Sequence, residues 1–266
     1  MILSIDIGIR SLSLNCLSFT DPKDVSTYTI HLWDVYDSLE NENHLCKSLT
    51  KKGEICGKKS SLKHKIETDW IYTCKTHFPK GMEKNNHKTK KIKEYDLQDI
   101  AKSVIIKFQN IYDTNKEIFD KLDKIVLELQ LAKSPKMLLA SHIIYGKLVE
   151  LYMDRPDVTI KFKRASEKLR YYDGPEIFCK LKGGYAQRKW LSIQYCKYFL
   201  ENRFSEEQKN IWLPKFMAHS TSNQNDASDS IAYSLLDTLG IAPKIYTEKF
   251  NKFKKVRKSR KVNLRH

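Results

Sequence analysis

The chain reads as an α/β fold, a mixed central sheet flanked by helices, interrupted by a small insertion of different composition. Three observations point to it. The first 36 residues alternate in the manner of three consecutive strands. From about residue 95 to 240, apolar positions at helical spacing alternate with short apolar runs. Residues 44–78 fit neither pattern and are rich in Cys, Lys, Gly and Ser. A chain of 266 residues, 41% hydrophobic, is long enough for one large domain or one domain plus a small module.

Ile2 to Ile7 reads as the first strand, Gly8–Ser11 as a turn and Leu12 to Phe19 as the second strand. Asp21-Pro22-Lys23-Asp24 has turn chemistry, and Tyr28 to Tyr36 alternates as a third strand should. Leu97, Ile100, Ala101, Val104, Ile105, Phe108, Ile111 and Tyr112 recur at the spacing of an amphipathic helix. Lys124–Gln130 is a short apolar strand. Pro135, suited to a first helical turn, opens a helix to about Met153. Val158–Phe162 is another strand, and residues 187–201 and 227–239 read as helices. The expected division is a discontinuous core, 1–43 and 94–248, with an insertion over 44–80, a basic connector over 81–93 and a basic tail over 249–266.

The balance of 48 Lys and Arg against 32 Asp and Glu leaves a net charge of +16, which points to a polyanionic partner, most simply nucleic acid. No stretch reaches the roughly 18 apolar residues of a membrane span. Asp6 and Arg10 break the apolar N-terminus and no basic region precedes it, so it does not read as a signal peptide. Six cysteines without such a signal suggest a reducing, intracellular compartment, where grouped cysteines more often bind metal than pair.

Four acids stand out. Asp6 and Glu128 interrupt apolar strands, and Asp226 and Asp229 stand three apart at the head of an apolar helix. A carboxylate in an apolar stretch is costly to bury unless it is paired or holds a metal. Carboxylates suit hard divalent cations, and a two-cation site can activate water and stabilise the leaving oxygen of a phosphodiester. Three of the acids have a plainer reading: Asp226 as a helix N-cap, Asp229 as a first-turn acid, Glu128 as a salt-bridged strand residue.

Asp6-Ile-Gly-Ile-Arg10, Val126-Leu-Glu-Leu-Gln-Leu-Ala-Lys-Ser134 and Asn225-Asp-Ala-Ser-Asp-Ser-Ile-Ala232 together resemble the acidic motifs of RuvC-like Holliday junction resolvases, closest to the branch of poxviruses and related large DNA viruses. Ser230 departs from the family's usual Ala. The resemblance implies an RNase H-like fold and magnesium-dependent cleavage, with manganese as a substitute. It also implies a homodimer acting on branched DNA, specifically four-way junctions. Asp6, Glu128, Asp226 and Asp229 would be catalytic and hold the metal. For a viral source, the site of action would be the host-cell site of viral DNA replication, or the nucleus. Lys133 and Lys136, just past Glu128, are candidates to approach the scissile phosphates, or are solvated lysines of a helix start. Gln130 could orient substrate or lie on the surface.

Cys46-x9-Cys56-x17-Cys74-x2-His77 supplies three thiolates and an imidazole for tetrahedral zinc, with Gly53 and Gly57 allowing tight turns. The plainer reading is four unligated loop residues. An insertion without an apolar pattern needs such a staple. Cys16, Cys179 and Cys196 read as core residues. Lys51, Lys52, Lys58, Lys59, Lys63 and Lys65 offer the insertion a DNA contact. Lys163, Arg164, Lys182, Arg188 and Lys189 are further candidates for phosphate contacts, and the tail binds polyanions or addresses the nucleus. Tyr171, Tyr172 and Tyr185 are candidates to stack on opened bases, or are ordinary tyrosines. The favoured reading is a metal-dependent junction resolvase. Its rivals are a ribonuclease H-type enzyme on RNA–DNA hybrids and a non-catalytic, zinc-containing DNA-binding protein.

Overall fold

A computed structural model describes residues 1–39, 45–58, 60–67, 69–86, 92–130 and 134–242. Three strands open the chain: β1 (Ile2–Ile7), β2 (Ser11–Ser18) and β3 (Thr29–Asp37). The insertion holds β4 (Leu62–Ile66), β5 (Asp69–Thr73) and β6 (Asn85–Asn86). Then come α1 (Leu97–Thr114), the single turn α2 (Lys116–Phe119), β7 (Lys124–Leu129), α3 (Pro135–Leu151) and β8 (Thr159–Arg164). Three helices follow: α4 (Gly184–Asn202), α5 (Glu206–Ala218) and α6 (Thr221–Leu239).

The main sheet runs β3-β2-β1-β7-β8, antiparallel through the opening meander and parallel from β1 to β7 to β8. This mixed sheet flanked by helices is the expected RNase H-like arrangement. The central strand β1 is almost wholly buried, because both of its faces are covered. One face of the sheet, with Leu3, Ile5, Ile7, Leu12 and Leu14, packs against Ile100, Val104 and Phe108 of α1 and Ala140, Ile144 and Leu148 of α3. The other face packs Leu17, Ile30 and Trp33 against α4, α5 and α6. Ile30 and Leu32 are two apart in β3 yet serve opposite cores. The register slips between Cys16 and Leu17, whose partners are Leu32 and Ile30, so His31 is extra and reverses the alternation.

α6 lies on the second face through a run of small residues. Ser4 Oγ donates to the Ser230 carbonyl at 2.6 Å and shares a 2.5 Å hydrogen bond with Ser234 Oγ. Ser13 Oγ donates to Ser230 Oγ at 2.9 Å, and Trp33 Nε1 to the Ala227 carbonyl at 2.9 Å. The Ser230 hydroxyl therefore ties the helix to β2, a contact that an Ala at this position could not make.

The structure departs from the sequence expectations at several points. α6 begins at Thr221 with Ser220 as its cap, Ser220 Oγ accepting from the Asn223 N–H. Asp226 thus stands in the second turn and is not an N-cap. α5 has no counterpart in the sequence reading, because Pro214 inside it interrupts the helical pattern. β6 pairs with β4, so the expected connector begins inside the small sheet. Cys16 and Cys196 are buried as expected, but Cys179 is only half-buried in an irregular stretch. Tyr171 and Tyr172 are core residues, Tyr172 lying flat on Tyr195 at 3.7 Å between ring centres, and so are closed to bases. Lys133, Lys59 and the basic tail lie outside the described residues.

Candidate active site and metal centre

The sheet register builds the acidic site. β1 and β7 run parallel with Ile5 opposite Leu127. One residue further on, Asp6 and Glu128 fall side by side at the carboxyl ends of the strands. Both leave the sheet on the face of Ser4, which α6 covers. α6 adds Asp229, which is 4% exposed. Asp229 accepts from Ser192 Oγ on α4 at 2.6 Å and from Asn225 Nδ2 at 3.3 Å, and forms an ion pair with Lys168. Ser228 Oγ donates to Ser192 Oγ at 3.0 Å and to the Asn225 carbonyl at 2.8 Å, which extends the network along the helix.

The charges register each other. Burial, then the neighbouring Glu128, push Asp6 well above the usual carboxylate range. Burial raises Asp229 as well, against the opposing pull of Lys168 and Ser192. Burial by itself lowers Lys168, but Asp229, Asp6 and Glu128 outweigh it and hold its ammonium charged. Burial and the same three acids raise the Tyr233 phenol. Asp6, Glu128 and Asp229 thus all act on the charge of Lys168. Their oxygens suit magnesium or manganese better than a soft metal, while among the described residues only the Cys/His set of the insertion brings its ligand atoms within 4.8 Å of one another.

Asp226 is placed differently. It is half-buried and lines an open groove with Arg10, Ser11, Tyr36, Asp37 and Asn223, in which Arg10 Nε donates to Asp37 at 3.1 Å. Gln130 donates from Nε2 to the Ile7 carbonyl at 3.0 Å, pinning the end of β7 to the end of β1. Lys136 is committed to the fold: its ammonium donates to the carbonyls of Ile92, Lys93 and Tyr95. Lys163 is paired with Asp237 at 3.2 Å, which Lys124 also holds at 2.8 Å. Arg164, Lys182 and Arg188 are exposed, and Lys189 lies over the exposed Tyr185 ring. Ser192 carries no signal of a site role in spacing or composition, and Lys168 stands out only as one of the basic residues after β8, from some of which phosphate contacts are expected; only the fold brings the two to Asp229.

The second centre is in the insertion. Among the described residues, Cys46, Cys56, Cys74 and His77 form a potential metal set whose ligand atoms all lie within 4.8 Å of one another. His77 Nδ1 is 3.5 Å from both Cys46 Sγ and Cys74 Sγ, and Cys56 Sγ is 3.9 Å from Cys74 Sγ. Tetrahedral zinc, with bonds of about 2.3 Å to sulfur and about 2.0–2.1 Å to nitrogen, has S···S edges of roughly 3.8 Å and S···N edges of roughly 3.5 Å. The wide Cys46–Cys56 spacing is closed by a hairpin. Cys56 N–H donates to the Ser48 carbonyl at 2.9 Å and Cys46 N–H to the Lys58 carbonyl at 2.8 Å. Gly53 and Gly57 take positive φ of 79° and 62° at its turns, where a side chain is disfavoured. Burial opposes ionisation of Cys46, but hydrogen bonds from Ser48, Cys74 and His77 prevail and bring its thiol to about 6. Cys56 goes the other way: a Lys58 backbone hydrogen bond lowers it, yet burial and the neighbouring sulfurs raise it overall. Thiols that hinder each other's ionisation are relieved by a bound cation.

The chain is similar to Holliday junction resolvases. Over 89% of its length it aligns with 95% of a fowlpox virus resolvase in complex with Holliday junction DNA, at 16% identity and a TM-score of 0.42. Over 90% of its length it aligns with 96% of Thermus thermophilus RuvC in complex with a Holliday junction substrate, at 6% identity and a TM-score of 0.41. In sequence it is 29% identical over 222 residues to an uncharacterized protein of Acanthamoeba polyphaga mimivirus, a match covering 70% of this chain. The chain spans about half, 52%, of that relative. No family model matches. Among the described residues no helix is long and apolar enough to cross a membrane.

Proposed function

We propose that the protein is a divalent-metal-dependent endonuclease that resolves four-way DNA junctions by paired phosphodiester hydrolysis, working as a homodimer. The observation that carries this reading is the β1–β7 register that sets Asp6 beside Glu128, together with the Asp229–Lys168 ion pair, the charges of all three acids acting on that lysine. Half-buried and buried carboxylates that repel each other are unfavourable for stability alone, and a cation held between them accounts for the arrangement. Magnesium, or manganese in its place, would be held by these three carboxylates, with Asp226 joining from one helical turn earlier. When bound, the cations would supply activation of water and neutralisation of charge at the phosphate. Ser192 and Asn225 orient the Asp229 carboxylate, and Gln130 fixes the spacing of the two strand ends that carry Asp6 and Glu128. Lys168 keeps a fixed positive charge beside the reacting phosphate.

The junction as substrate follows from the resemblance of the three motifs to resolvases, and the net charge of +16 supports a polyanionic partner. The exposed Arg164, Lys182 and Arg188, with Lys189, are proposed phosphate contacts. Lys136 and Lys163 are less suited, because their ammonium groups are already engaged. The Cys46, Cys56, Cys74 and His77 cluster is proposed to hold structural zinc, since all four positions are filled by protein. Host-cell replication sites or the nucleus are the proposed places of action.

The test is a cleavage panel with magnesium: an immobile four-way junction, a Y-junction, a linear duplex and an RNA–DNA hybrid, with Asp6→Asn and Asp226→Asn as controls. Paired symmetric nicks in the junction, absent from Asp6→Asn, are expected. Cleavage of the hybrid alone would move the assignment to ribonuclease H. Junction binding without any cleavage would leave a DNA-binding protein.

A further inference from the structure

We propose that the outer face of the small β5-β4-β6 sheet is a stacking platform for unpaired DNA bases, separate from the acidic site. The register fixes which side chains share that face. Lys63 pairs with Tyr72 and Lys65 with Trp70 across the antiparallel strands, and paired residues project to the same side. The alternate residues Leu62, His64 and Thr73 are buried on the opposite side, where the His64 ring meets Phe78 edge-on. Two lysines and two aromatics are therefore interleaved on one surface. Trp70 is 44% exposed, and Lys63 Nζ lies 4.3 Å from its ring centre.

Charge complementarity selects the occupant. Residues 45–86 hold ten lysines against the four acids Glu54, Glu67, Asp69 and Glu83. A basic surface with an exposed indole is the combination that binds single-stranded nucleic acid: lysines follow the phosphates and the ring takes a base. The magnitudes allow the exchange. An exposed lysine–indole contact is weak, whereas stacking of one base on an aromatic ring changes affinity by roughly 5- to 150-fold. A base can thus displace Lys63 from the ring and leave its ammonium free for a phosphate. Paired bases keep their faces hidden in the stack, so the platform favours opened strands over intact duplex. No residue of the acidic cluster takes part, so the proposal stands or falls independently of the nuclease reading.

The full-length zinc-loaded protein, without magnesium, is titrated with a labelled oligothymidine strand and with a duplex of equal length. Trp70→Ala should weaken oligothymidine binding by roughly 5- to 150-fold and leave duplex binding unchanged, while Trp70→Phe binds nearly as the parent does. Lys63→Gln with Lys65→Gln should flatten the salt dependence by about 1.4 in log–log slope, the share of two phosphates on a single strand. Zinc content checks that each variant keeps its fold. Intrinsic fluorescence gives a reading that does not depend on Trp70→Ala folding. Trp33 and Trp212 are buried and Trp190 is half-buried, so oligothymidine should quench the parent more than Trp70→Phe. Equal quenching, oligothymidine binding unaffected by Trp70→Ala, or an equal loss on duplex and single strand each overturns the proposal.

Discussion

Replacing Ser192 with alanine isolates one contact of the acidic site. The Ser192 side chain is fully buried and its hydroxyl donates to Asp229 Oδ1 at 2.6 Å. A hydrogen bond to a charged group contributes about 1.5–3 kcal/mol. Alanine leaves Ser228 with its bond to the Asn225 carbonyl at 2.8 Å, so no second group is orphaned. The small volume change opens no large cavity. Ser192→Ala should therefore cost about 2 kcal/mol at neutral pH, which for a chain of this size lowers Tm by roughly 4–8 °C. The sign with pH follows from the proton. The serine hydrogen bond favours ionised Asp229, so its loss raises the Asp229 pKa further. The stability gap between parent and variant is full where Asp229 is ionised. It shrinks as pH falls through the raised pKa, where only a neutral hydrogen bond of about 0.5–1.5 kcal/mol remains. Denaturant unfolding across a pH series measures the gap, and magnesium-dependent cleavage should show its acid limb displaced upward in the variant. A gap that stays constant with pH, or an acid limb that does not move, would refute the idea that Ser192 acts through the Asp229 charge.

Three further outcomes are expected. Asp6→Asn should abolish cleavage yet stabilise the metal-free protein. The raised Asp6 pKa means that metal-free stability falls as pH climbs from the ordinary carboxylate value of about 3.9 through the folded value, and asparagine removes that slope; thermal melts in the absence of divalent metal measure it, and an unchanged slope would contradict the assignment. Lys168→Met should destabilise by about 3–5 kcal/mol at neutral pH, because it leaves Asp229 buried without its cation, with partial recovery in acid as the carboxyl protonates; equal destabilisation at acid and neutral pH would argue against charge as the cause. Zinc removal by a chelator, or Cys74→Ser, should unfold residues 45–86 while the main sheet survives, since the small sheet has its own staple and the main sheet has its own two cores; hydrogen exchange resolves the two regions, and uniform loss of protection would show that they unfold together.

Elements with strong periodicity and residues with unusual chemistry are legible before folding is considered. β1, β7 and α1 can be read because apolar spacing is a local property of the chain. Asp6 and Glu128 can be read because a carboxylate inside such a run demands compensation. The two glycines of the Cys/His hairpin announce its turns, and the structure gives both a positive φ. Relations between distant segments needed the folded chain. The pairing of Ile5 with Leu127 sets Asp6 beside Glu128, and the Ser4, Ser13 and Ser230 hydroxyls seat α6 so that Asp229 reaches them. Lys168 and Ser192 became site residues in the same way, and Tyr171 and Tyr172 became core. Nothing local distinguishes a lysine that will pair with a buried acid beside two others from one that will face water. That difference is a long-range electrostatic and packing property, and it exists only once the chain has folded.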